Sequence, residues 1–395
     1  MSHTVTRTAT RARLTSARPL RISRPSPLAP RPSARGVTLM EVLISIGVLS
    51  IGLLGVAAMI PLGGITIQET AKADRAGACG RAGLRDVKIR GMLDPWNWVD
   101  CNGPAWATSN NTIEHRPVCI DPLFLSRTSS DSKAHNFPYN TSWLRRLSLT
   151  PKPRTPSSSP AVMNYGLAEQ IFRWAEDLTY EDPKGNERPR LQYFASNGTL
   201  LTPPSLTGAV IPASDGNYSW MFTLSPAPSE RSSDFLTKRL YTLSVVVFHK
   251  RTLAAPLAGT VPPERQIKAL RLSGGFGGGD FALVTSSSNG SEYLTVKRSD
   301  WMMLLGERTV RDSGGSATVR VCDWYRIVSA TENPLYDSAN SLWGRYVVLA
   351  GPDWDATSTS ASNANEFDAV LVDNVIGVYT ATVDLSRSPL WTRGF

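Results

Sequence analysis

The chain has 395 residues, 41% of them hydrophobic, with 42 Lys and Arg against 33 Asp and Glu. Eight of the basic residues (Arg7, Arg11, Arg13, Arg18, Arg21, Arg24, Arg31 and Arg35) fall within the first 36 positions, which hold no acid, so 34 basic face 33 acidic residues in the remainder. A nearly neutral body with scattered basic residues excludes a phosphate-tracking surface, which needs clustered Lys and Arg, and no nucleic-acid partner is expected.

Residues 1–35 are rich in Arg, Ser, Thr, Pro and Ala, without the apolar periodicity that a packed core needs, and are predicted to be disordered. Val42 to Ile60 follows as 19 residues without a charge, long enough to cross a bilayer as a helix. It is longer than the apolar region of a cleaved signal peptide, and Arg35-Gly36 lies before it, so the run stays in the product. Arginines on its N-terminal flank place the N-terminus in the cytoplasm and residues beyond about Gly64 on the far side, by the positive-inside bias.

Glu41 stands one residue before this run, where a carboxylate is costly in lipid and marks function or a waiting partner. The string Gly36-Val37-Thr38-Leu39-Met40-Glu41, continued by Val42, Leu43 and Ile44, resembles the prepilin-type cleavage and methylation motif of type IV pilins and type II secretion pseudopilins. The resemblance implies a basic leader over 1–36, cleavage between Gly36 and Val37 by a membrane prepilin peptidase, N-methylation of Val37, and a Glu at the fifth mature position, which is Glu41. Val37 stands where the family usually has Phe. The continuation Ser50-Ile51-Gly52-Leu53-Leu54-Gly55-Val56-Ala57-Ala58 looks like the minor pilins called pilus modification proteins. A cationic amine at Val37 and a neighbouring subunit's Glu41 would form a counter-ion pair on assembly. Gly47, Gly52, Gly55, Ala57 and Ala58 would supply small faces for helix packing in lipid.

Thr66 to Leu93 has the composition of an amphipathic helix and is predicted to continue the membrane helix, giving one long helix over 37–93 that is transmembrane in 42–60. Pro61, with Gly63 and Gly64 behind it, predicts a kink or a melted turn, and Asp94-Pro95 a stop. Residues 94–189 read as an irregular and helical neck, with Trp96, Trp98 and Trp106 amid Pro, Asn and Ser and a short helix in 161–178. From about residue 190 to 395 the period becomes two, with strands expected around 218–224, 241–247, 281–285, 293–296, 319–328, 346–350 and 369–382. The expected fold class is α+β: a long N-terminal hydrophobic, transmembrane helix followed by a mainly antiparallel β globular head.

The four cysteines lack the spacing of zinc or redox sites. An oxidising extracytoplasmic compartment favours disulfides among them. Two bridges would allow three pairings, and the one expected is Cys101 with Cys119, whose 17 intervening residues close a loop worth on the order of 3 kcal/mol in the chain-entropy model.

Catalytic motifs are missing. His115, His135 and His249 are far apart in sequence, His249 reads as a strand-end residue, and the Gly274–Gly279 loop lacks the Lys-Ser/Thr of a phosphate loop. Asp353, Asp355, Asn363, Asn365 and Asp368 could offer oxygens to calcium but match no EF-hand, so no metal or cofactor is assigned.

The functional expectation is a non-enzymatic, single-pass subunit of the cytoplasmic membrane with an extracytoplasmic head. It would assemble with other pilins into a type IV pilus or a secretion pseudopilus, as a minor pilin present in few copies. The alternative is a signal-anchored periplasmic β-domain protein with a binding or hydrolytic role.

Overall fold

Helix α1 (Leu39–Ile89) begins three residues after Gly36 and opens a chain whose computed structural model describes residues 36–100, 116–128, 130–141, 143–151, 162–174, 193–194, 200–201, 217–227, 240–257, 259–272, 278–286, 288–312, 315–358 and 364–385. After α1 come β1 (Trp98–Val99), β2 (Val118–Ile120), α2 (Pro122–Thr128), β3 (Asn136–Phe137), β4 (Leu144–Leu149), α3 (Tyr165–Phe172), β5 (Tyr193–Phe194), β6 (Leu200–Leu201), β7 (Tyr218–Pro226), β8 (Leu240–His249) and β9 (Glu264–Arg271). Then follow β10 (Gly278–Thr285), α4 (Gly290–Tyr293), β11 (Trp301–Asp312), β12 (Gly315–Ala330), β13 (Leu335–Asp337), β14 (Leu342–Ala350), β15 (Glu366–Val372) and β16 (Val375–Asp384). The fold class is α+β, one long apolar N-terminal helix followed by a mostly antiparallel β head. Two compact units divide at Gly64.

In the first unit, the backbone stays helical through Pro61, Gly63 and Gly64, so no turn is melted there. Missing backbone donors are tolerated in apolar helices when neighbouring groups re-satisfy the freed carbonyl.

In the second unit, α1 ends four residues before the predicted Leu93. Gly91 adopts φ 62° and forms a Schellman cap, its N–H reaching the Lys88 carbonyl (3.5 Å) and the Met92 N–H the Val87 carbonyl (3.1 Å). Val87 and Met92 are both buried, the apolar contact that accompanies this motif. Asp94 then caps a single 3-10 turn at Pro95–Asn97.

Residues 94–189, expected to be irregular and helical, contribute β1, β2, β3 and β4 to a seven-stranded sheet ordered β1-β4-β2-β7-β8-β16, with β3 on β4. Strands β2 and β4 run parallel, and the other neighbours are antiparallel. Both faces of this sheet are covered. On one face Val118, Ile120, Leu147, Leu149, Trp220, Phe222, Leu224, Leu243, Val245 and Val247 pack with Ala76, Cys79 and Val87 of α1 and with α2 and α3. On the other, Cys119, Leu144, Met221, Val246 and Phe248 meet Met303, Leu305, Cys322, Trp324, Val370 and Val372 of the second sheet. Alternate residues of one strand thus enter two different cores, as a pleated strand requires.

The second sheet runs β10-β9-β15-β11-β12-β14-β13 and closes through a β10–β14 ladder, in which Phe281 faces Val347. The result is a six-stranded antiparallel barrel with β13 appended. Its interior holds Ile267, Ala269, Phe281, Leu283, Met302, Leu304, Tyr325, Ile327, Val347, Leu349, Trp354, Phe367, Ala369 and Leu371, so the barrel is a packed core. Segment 293–296, read as a strand, instead leaves α4 and inserts Leu294 and Val296 into that core. Arg265 and Arg345 hold the segment there by donating to the carbonyls of Tyr293 (2.8 Å), Thr295 (2.9 Å) and Leu294 (2.9 Å). The expected single strand at 369–382 is two: β15 belongs to the barrel and β16 to the first sheet, separated at Asp373-Asn374, with Asn374 at φ 63°.

Of the two cysteines expected to form a Cys101–Cys119 bridge, only Cys119 lies among the described residues. Cys119 is a free, fully buried thiol on β2, its Sγ 3.8 Å from Met221 Sδ in the core between sheet and barrel, and Cys101 lies outside the described residues. Cys322 is a second buried free thiol in the same core. Burial, the largest influence on both, pushes these thiols well above their ordinary range.

Two expectations follow. Alkylation of the native chain without reductant should leave Cys119 and Cys322 unmodified and label both after denaturation; a disulfide at either position would contradict the fold. A Cβ on Gly83 would come 2.9 Å from Val245 Cγ1 and 3.3 Å from Trp220 Cδ2, so Gly83→Leu should destabilise the head by about 1–3 kcal/mol in denaturant unfolding.

Candidate functional site at the start of the N-terminal helix

Thr38 is the N-cap of α1. Its Oγ1 accepts a hydrogen bond from the Glu41 N–H (3.3 Å), and its carbonyl accepts from the N–H groups of Glu41 (3.0 Å) and Val42 (3.2 Å). Thr38-Leu39-Met40-Glu41 has the Thr-x-x-Glu spacing of a capping box ahead of an apolar run, a signal present in the sequence that the motif reading did not use. Glu41 therefore sits in the first turn, where a carboxylate complements the helix dipole. Gly36 and Val37 precede the helix, without regular structure and exposed, Val37 at 68%.

Leu39–Met59 is the one segment among the described residues long and apolar enough to cross a membrane, and none of it is buried within the chain. Leu43, Ile44, Leu53 and Leu54 are all exposed. Ser45 and Ser50 donate to the carbonyls of Glu41 and Ile46 (2.7 Å each), so their hydroxyls are satisfied within the helix, as an apolar surround demands. Nothing lies within 4 Å of where a Cβ would stand on Gly47, Gly52 or Gly55. This segment fits a single-pass anchor.

Among the described residues, the others singled out from the sequence do not converge on a reactive site. Trp98 is buried and donates from Nε1 to the Met92 carbonyl (2.8 Å), a core role, while Trp106, His115 and Asn363 lie outside the described residues. His249 ends β8 against the Tyr218 ring, and His135 is buried 3.9 Å from Asp100. Asp355 pairs with Arg308 (2.6 Å) and Asp368 with Lys268 (2.5 Å), and no group of three potential metal ligands occurs among the described residues.

A buried charge cluster was not legible in the sequence. Asp121, at the end of β2, accepts from both terminal nitrogens of Arg251 (3.0 and 2.5 Å) and caps α2 through the Phe124 N–H (3.3 Å). Arg251 also donates to Glu264 (3.1 Å), and Arg146 of β4 pairs with Glu264 and lies 3.8 Å from Asp121. The guanidinium of Arg146 lies 4.1 Å from the Phe124 ring centroid, and that of Arg251 lies 4.2 Å from Phe248. Two cations and two anions balance. Burial by itself would raise the Asp121 carboxyl, but Arg251 and Arg146 overcome it and hold the group below its ordinary value of 3.8. These four residues join the first sheet to the first barrel strand, β9.

Residues 31–57 match the family described as the prokaryotic N-terminal methylation motif. No curated protein and no solved structure matches the chain. The matched span covers Gly36, Val37, Thr38, Glu41 and most of the apolar segment, so the chain carries a prepilin-type motif on an exposed apolar helix.

Removing one member of the charge cluster strands its partners in a dry core. Arg146→Met should cost about 3–5 kcal/mol in denaturant unfolding. Because the folded carboxyl of Asp121 is depressed, its contribution is complete above the unfolded value near 3.8 and lost as the pH falls through the lower folded value. An acid titration of Asp121→Asn against the parent should show the stability difference shrinking only below about pH 4.

Proposed function

We propose that this chain is a prepilin-like structural subunit. It is cleaved between Gly36 and Val37 by a prepilin peptidase, N-methylated at Val37, and assembled through α1 with other pilins into a type IV pilus or a type II secretion pseudopilus. The observation that carries the reading is the coincidence of the methylation motif at 31–57 with a helix whose apolar surface is uncovered among the described residues and whose first turn bears Glu41. An apolar helix in lipid gains little from burial alone, so association rests on close packing and polar pairing. Open positions at Gly47, Gly52 and Gly55 and the Val37 amine with a neighbour's Glu41 provide both. A bend at Pro61 belongs to the same proposal.

The eight arginines of the leader support a cytoplasmic N-terminus and an extracytoplasmic head. A minor-subunit role is supported by the size of the head, in which a six-stranded barrel adds to the helix-backed sheet. Repeating such a head along a shaft of closely packed helices would crowd it, whereas a sparse position imposes no repeat.

Mass spectrometry of membrane-extracted protein should find an N-methylated peptide beginning at Val37. Glu41→Ala should leave unfolding of the head unchanged and reduce incorporation into fibres; incorporation equal to the parent would remove Glu41 from assembly.

A further inference from the structure

Cleavage at Gly36–Val37 needs more than the right residues at the junction, because a peptide bond inside a helix has its N–H and C=O engaged and cannot lie extended in a peptidase cleft. Hydrolysis adds water across this amide, leaving a carboxylate on Gly36 and an ammonium on Val37, and the carbonyl must be open to attack. The bond lies two residues before a continuous helix of 51 residues, whose cooperative propagation favours extension in both directions. Something must stop it on the N-terminal side.

Resting on the proposed processing at this bond, we infer that Thr38 is a positioning residue for leader cleavage, acting as the N-cap that fixes where the helix begins. Its side chain occupies the Glu41 N–H, and its carbonyl is the first to accept a helical bond. Val37 and Gly36 are thereby left outside the ladder, exposed, with open space where a Cβ on Gly36 would stand. A capped start at Leu39 keeps the scissile amide outside the helix in most molecules. An uncapped start distributes the boundary over several registers, some placing Val37 and Thr38 within the helix, and the cleavable fraction falls accordingly. The hydroxyl thus acts through the backbone, without touching the reacting atoms.

The test separates capping from side-chain shape. Full-length chain in detergent micelles is incubated with a prepilin peptidase, and the rate of leader loss and the new N-terminus are read by mass spectrometry for the parent and for Thr38→Ser, Thr38→Asn, Thr38→Val and Thr38→Ala. Ser and Asn cap at least as well as Thr, whereas Val and Ala do not cap, although Val has the shape of Thr. Thr38→Ser and Thr38→Asn should be cleaved within about twofold of the parent, and Thr38→Val and Thr38→Ala about fivefold more slowly, the ratio that loss of a typical cap represents. Thr38→Val cleaved as fast as the parent, or Thr38→Asn as slow as Thr38→Ala, would overturn the positioning role. A parent left uncut at Gly36–Val37 would overturn the processing reading itself.

Discussion

The first sheet of the head is buried on both faces, and the rest of the head is arranged around that constraint. Strands β7 and β8 place Trp220, Phe222, Leu224, Val245 and Val247 against the helical side and Met221, Val246 and Phe248 against the barrel. A fully buried side chain of this kind contributes about 1.5–3 kcal/mol, so neither cover can be removed without exposing a continuous apolar surface. Two hydrogen bonds cross the sandwich: Thr223 accepts from Trp324 Nε1 and Ser225 Oγ from the Cys322 N–H, both at 2.9 Å. The cluster of Asp121, Arg146, Arg251 and Glu264 brings charge into the same interface, two cations against two anions.

Within the head, α1 is fitted to the sheet by small residues. Ala76, Cys79, Gly80, Gly83 and Val87 recur at helical spacing, and a Cβ on Gly80 would lie 2.0 Å from Tyr379 Cδ2, so backbone and strand approach more closely than larger residues allow. The N-terminal part of the same helix follows the opposite rule. Large aliphatic side chains cover Leu39–Met59, and none is buried by its own chain. One helix therefore carries two surfaces, one matched to a partner in the same chain and one left uncovered among the described residues.

Much of this organisation was readable from local pattern. The apolar run, Glu41, the Asp94-Pro95 turn and the alternation in β7 and β8 all appear over a few residues, because helix propagation, capping and pleating act at that range. Strand β11 was missed since Trp301-Met302-Met303-Leu304-Leu305 does not alternate, being buried inside the barrel on one side and against the sheet on the other. Strands β2 and β4 were missed because they are short and find their partners among distant residues, Val118 facing both Arg145 and Leu224. A buried arginine looks in sequence like an exposed one, so Arg146 gave no sign of its partner Glu264, 118 positions away.

By itself, the sequence determined a neutral body behind a basic N-terminal segment, a membrane-length helix with its methylation motif, and a β-rich head, because charge, hydropathy and period two are properties of contiguous residues. Only the tertiary structure decided that the head is a sheet sandwiched between helices and a closed barrel, that 369–382 divides between two sheets, and that Cys119 is a buried thiol in the core between them. Those outcomes depend on which surfaces meet across more than a hundred residues of chain, and burial, ion pairing and strand closure exist only once they have met.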